Sequence, residues 1–146
     1  MQPLPHHYVV TATMLTDRID VSAAGLPIIE TEPPAEFGGS GERWSPETLL
    51  IAAVADCFLL TFKAVARASK FEFDEIQCEV EGTLDRVDGI TKFTKIMVRP
   101  TLVVRSDELI ETATKLLIKS EKNCLVSNSL SAEIALKPKI KLALAG

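Results

Sequence analysis

The run Leu49–Phe62 (LLIAAVADCFLLTF) constrains this chain more than any other stretch. Ser45 and Pro46 stand just ahead of it. A serine side chain can cap an exposed helical amide, and proline suits the first helical position, where its missing N–H costs nothing. The pattern predicts a helix from there to about Ser69. Its first half is apolar nearly all round, as in a helix wrapped on most sides by protein. A membrane span would need about 18 apolar residues, and this run is shorter and interrupted by Asp56. Lys63, Arg67 and Lys70 return its tail to solvent, with cations at the end the helix dipole favours.

The flanking segments supply sheet. His7–Thr16 alternates and is rich in Val and Thr; Ile19–Ser22 and Leu26–Thr31 are further β-like runs, which together read as an antiparallel meander. Residues 32–41 (EPPAEFGGSG) form a loop, because their prolines and glycines break any regular element. Phe71–Asp85 and Ile90–Arg105 form a long hairpin about Arg86-Val87-Asp88-Gly89, with Cys78, Val80, Gly82 and Leu84 on one face. Ser106 opens a second helix that ends near Asn123, and Leu130–Leu144 reads as a last strand broken near Pro138. The pattern is that of a single α+β domain over residues 1–146. One small sheet covers such a helix mainly on one side. Association with a second copy would cover the rest, so the expectation is an obligate homodimer.

Composition narrows the function. The chain is 146 residues long with a formal net charge of −4 and no run of Lys or Arg, which argues against a nucleic-acid binder. The N-terminus lacks the basic flank and long apolar stretch of a secretory signal, so a cytoplasmic location is expected. The three cysteines, Cys57, Cys78 and Cys124, form no CxxC pair and have no His near them in sequence; neither a metal nor an organic cofactor is indicated. In a reducing cytosol, widely spaced thiols are either inert core residues or working thiols. Cys57 taken alone reads as a small core thiol, although the neighbouring Asp56 needs a partner or an opening to water. Cys78 is explained by the apolar face of its strand. For Cys124 the indications balance: lysines nearby favour the thiolate, and a helix C-terminus disfavours it.

Two motifs taken together tip the balance. Phe37-Gly38-Gly39-Ser40-Gly41 followed by Ser45–Phe58, and much later Asn123–Leu130 (NCLVSNSL), resemble the OsmC/Ohr family, the osmotically inducible protein C and organic hydroperoxide resistance proteins. The resemblance implies an OsmC-like fold, an intertwined homodimer and a thiol-dependent peroxidase acting on organic hydroperoxides and often on hydrogen peroxide. It implies that Cys57 attacks the peroxide to give a sulfenic acid, that Cys124 closes a disulfide with it, and that an external dithiol reduces that disulfide. Glu47 stands where the family has a glutamate. Ten helical residues advance about 15 Å, so Glu47 and Cys57 of one chain cannot share a hydrogen-bonded site; if both act, Glu47 must serve the partner's thiol.

The family's activating arginine has no clear counterpart. Arg18, in the first β turn, is the favoured candidate, and Arg43 ahead of the helix is another; the segment before the Gly-Gly pair is Pro33-Pro34-Ala35-Glu36. A cation or donor is needed because burial raises a thiol's pKa and because charge develops on the leaving oxygen. Glu47 is equally explained as a favourable charge at a helix N-terminus, and Arg18 as a solvated hairpin tip. Trp44 and Phe37 could form an apolar rim or simply pack the helix entry. Two further readings keep the fold: a small-molecule-binding dimer with vestigial cysteines, and a redox sensor that passes its disulfide to a partner.

Overall fold

The computed structural model describes residues 1–144. The chain forms two compact units that divide at Leu50. In the first, β1 (Thr11–Met14), β2 (Ile19–Ser22) and β3 (Ile29–Thr31) make the expected antiparallel meander in the order β1-β2-β3. β1 and β3 are shorter than their alternation suggested. All four residues of β1 are exposed, so no buried face extends the pairing. A turn of 3₁₀ helix at Ala35–Phe37 interrupts the following loop. Thr31 then bridges to Trp44, and the Glu32 amide donates to the Trp44 carbonyl (3.0 Å).

α1 spans Pro46–Ala68 and carries the chain into the second unit. Its start is a reciprocal cap: the Thr48 amide donates to Ser45 Oγ (3.1 Å), and the Ser45 amide donates to Thr48 Oγ1 (2.9 Å). Only Val54, Phe58, Phe62 and Ala66 are buried, a stripe at every fourth residue. By length and composition α1 could cross a bilayer, yet its buried stripe lies in an ordinary protein core. The remaining faces, expected to be wrapped, are only partly covered on the single chain, and Leu60 is 60% exposed.

β4 (Glu75–Val87) and β5 (Ile90–Val104) form the long hairpin, turning at Asp88 and Gly89, both at positive φ. The register shifts at Thr83/Leu84. Gly82 allows Ile51 and Phe93 to close over the strand, since a Cβ there would sit 2.5 Å from Ile51 Cδ1. α2 (Ile110–Lys122) follows a 3₁₀ turn at Asp107–Leu109. Ile96, Val98, Leu102 and Val104 of β5 share one core with the α1 stripe and with Ala113, Leu116 and Leu117 of α2. One feature departs from expectation, and a second, the break at Pro138, follows it. The residues after Cys124 form a short helix, α3 (Leu125–Asn128), rather than a turn. The last strand is two strands, β6 (Glu133–Leu136) and β7 (Lys139–Leu142), laid end to end along β5 and parallel to it. Pro138, with no N–H to give the ladder, stands between them.

Candidate functional site

Cys57 lies mid-way along α1, one residue off the buried stripe, and is half-buried, with Thr61 Oγ1 4.0 Å from its sulfur. Cys124 caps α3 and is 1% exposed. The fold brings these two sulfurs near each other, close enough for the charge on one to oppose ionisation of the other. Both are free thiols. Burial pushes the Cys124 thiol up from its ordinary range. Hydrogen bonds from the Ser127 hydroxyl (3.4 Å) and the Ser127 amide pull the other way, and Cys57 adds to the rise. At neutral pH Cys124 is therefore a protonated thiol held by a serine that can support its anion. The sequence alone does not single out Ser127, because the turn of α3 is what brings residue 127 back onto residue 124.

Cys78 lies on the core side of β4, packed against the same core. Burial pushes its thiol up to about 11, with nearby Cys124 contributing further. Its explanation as a core residue stands.

In the first unit, Arg18 and Arg43 lie in one network of carboxylates. Asp20 and Glu30 sit directly opposite each other across β2 and β3, a repulsive arrangement if left alone. Arg18 relieves it: Nε donates to Asp20 Oδ1 (2.9 Å) and lies 3.6 Å from Glu30. The Asp20 hydrogen bond, with the charges of Asp20, Glu30 and Asp17, raises the guanidinium's already high pKa. Arg43 contacts Glu32 (3.2 Å), Glu30 (3.5 Å) and Asp17 (3.9 Å). Glu32 is 7% exposed, accepting from the Ser40 hydroxyl and the Gly41 amide as well as from Arg43. The Ser40 hydrogen bond is the main cause of its lowered pKa. Gly39 belongs to the same loop, where a Cβ would collide with the Pro33 carbonyl. Arg18 is thus a bound, half-buried group rather than a solvated hairpin tip.

Glu47 takes its place in the first turn of α1, with Oε2 buried and without a hydrogen-bond partner. Among the described residues it forms no ion pair with Arg18 or Arg43. The fold therefore unites the two thiols and separately unites the two arginines, but does not join Glu47 to either arginine. Phe37 and Trp44 are both more than half exposed, at 60% and 53%.

Comparison with known proteins agrees with this architecture. YmaD of Bacillus subtilis (strain 168), an uncharacterised protein, is 30% identical over 146 residues, covering 97% of each chain. The structure of an OsmC-like protein from Vibrio cholerae O1 biovar eltor has the same fold, with a TM-score of 0.83 at 18% identity over 92% of this chain and 99% of that one. An organic hydroperoxide resistance protein from Elizabethkingia anophelis matches with a TM-score of 0.78 at 21% identity, over 98% of this chain and 100% of that one. Residues 39–139, which carry both cysteine motifs, match the family described as OsmC-like protein, and to that family this chain belongs.

Proposed function

We propose that this protein is a thiol-dependent peroxidase that reduces organic hydroperoxides and acts as a homodimer. The observation that carries this reading is the pairing of a half-buried thiol at Cys57 with a buried one at Cys124. Likeness to proteins named for organic hydroperoxide resistance supports the choice of substrate. Cys57, as its thiolate, attacks the terminal peroxide oxygen; the O–O bond breaks, the alcohol leaves with a proton, and Cys57 becomes a sulfenic acid. Cys124 then attacks the Cys57 sulfur, losing its proton to the departing hydroxide, so that water leaves and the disulfide forms. An external dithiol restores both thiols. Glu47, out of reach of its own chain's Cys57 by about 15 Å of helix, acts at the partner's thiol and meets an arginine there. Arg18 is the candidate, released from Asp20 and Glu30.

The test follows peroxide loss and thiol count after mixing reduced protein with cumene hydroperoxide or hydrogen peroxide. Cys57→Ser is expected to consume none, and Cys124→Ser to consume one equivalent and then overoxidise. Consumption by Cys57→Ser at the wild-type rate overturns the mechanism. A second reading, a redox sensor that passes its disulfide to a partner, is favoured by one observation: both arginines are already charge-compensated by carboxylates. Rapid disulfide formation with slow turnover under excess dithiol would select it.

A further inference from the structure

On the face of the sheet turned away from the core, a groove of about 450 Å³ opens where β6 and β7 part. Pro138 stands at this break and Pro100, buried on the core side of β5, lies beside it; neither has an N–H to close it. Arg99 and Thr101 of β5 form the floor beside Glu79 of β4; Lys137, Lys139 and Lys141 form the other wall. Arg99 is already matched, at 3.4 Å from Glu79 and 2.6 Å from Glu81. The three lysines are exposed and enter no salt bridge among the described residues. In a chain of net charge −4, this concentration of unmatched positive charge is not a by-product of basic composition.

We infer that this groove and the adjoining edge of β7 dock an extended acidic segment of a partner protein. Alternate residues of a strand lie about 6.6 Å apart on one face, too far for a small anion to bridge in series. An extended peptide with carboxylates at every second residue has the same repeat. The edge is available within the chain, because among the described residues β6 and β7 pair only with β5. The Lys137 and Ala143 amides donate toward β5, to Val98 and Val104. By alternation the backbone groups of Ile140 and Leu142 point outward, where an added strand can pair and set its carboxylates opposite Lys139 and Lys141. The lining carries no aromatic side chain on which bases could stack and no large apolar side chain to enter a bilayer, so the chemistry selects an acidic peptide over single-stranded nucleic acid or a membrane surface.

The probe is a fluorescein-labelled peptide of alternating Glu and Thr, compared by anisotropy with a block peptide of the same composition, at about 50 and about 300 mM salt. The alternating peptide should bind more tightly than the block peptide, and the added salt should weaken it. Lys139→Glu/Lys141→Glu should weaken it about tenfold, and Lys139→Gln/Lys141→Gln by less, with peroxide consumption and oligomeric state unchanged. Equal affinity for both peptides, or binding indifferent to the substitutions, overturns the proposal. So does a change of oligomeric state in these variants, which would make the edge a contact between copies. Aggregation of both variants with no peptide binding by the wild type would leave the lysines as guards of an exposed edge, and also overturns it.

Discussion

At the scale of single residues, the two sulfurs proposed to do the chemistry were legible from sequence, but their surroundings were not. Cys57 and Cys124 are 67 positions apart, and nothing short of the fold brings them near each other or sets Asp20 against Glu30 beside Arg18. Cys78 was readable from alternation alone, and its environment yields a pH prediction. Its thiol titrates at about 11 in the folded chain, against an ordinary value near 8.5. Between those values the unfolded chain holds fewer protons than the folded one, so stability falls as pH rises through that window. Urea midpoints measured from about pH 8 to about pH 10.5 should decline less steeply for Cys78→Ala than for wild type. Parallel declines would mean that Cys78 is not the buried proton holder. A second prediction concerns Gly82, which no turn motif marks. Gly82→Ala must displace Ile51 and Phe93 and should cost about 1–3 kcal/mol in chemical denaturation; an unchanged midpoint would show that the contact yields freely.

At the scale of elements, local chemistry marked boundaries well and pairing poorly. Ser45-Pro46 placed the start of α1 correctly because its cap is made within four residues: Ser45 and Thr48 satisfy each other's backbone amides. Ser45→Ala should therefore cost about 1 kcal/mol, and Ser45→Asp should recover most of it. Equal losses for both would place the role of Ser45 in packing, since it is only 2% exposed. Four residues are too few to establish a helical period, so the sequence does not mark α3, and Cys124, which reads as the end of α2, opens the next helix. The break at Pro138 was visible, whereas the parallel pairing of both halves with β5 was not, since nothing local in residues 130–144 names a partner 38 residues back. β1 and β3 came out short for a related reason: alternation records a capacity to pair, and the register with β2 realises only three or four pairs of it.

At the scale of the whole molecule, the open question is what covers the apolar surface that one chain leaves exposed. Only 22% of the most apolar part of α1 is buried within the chain, and Leu60 stands 60% exposed on a helix with Leu59 half-buried beside it. In the first unit Tyr8, Val9 and Met14 are each more than 80% or close to it exposed, at 87%, 81% and 80%. An isolated soluble chain rarely keeps so much large apolar surface in water. A second copy is the economical cover, because a twofold axis lets one surface satisfy itself and would let Glu47 of one chain serve Cys57 of the other. Sedimentation should therefore find dimer at micromolar concentration. Leu60→Lys, which replaces exposed apolar surface of α1 with a charge, should shift it to monomer and abolish turnover while leaving each Cys57 able to react slowly with a small thiol reagent. A Leu60→Lys protein that remains dimeric and fully active would mean that this face of α1 is not the interface, and Glu47 would then have to act on something other than a partner's thiol.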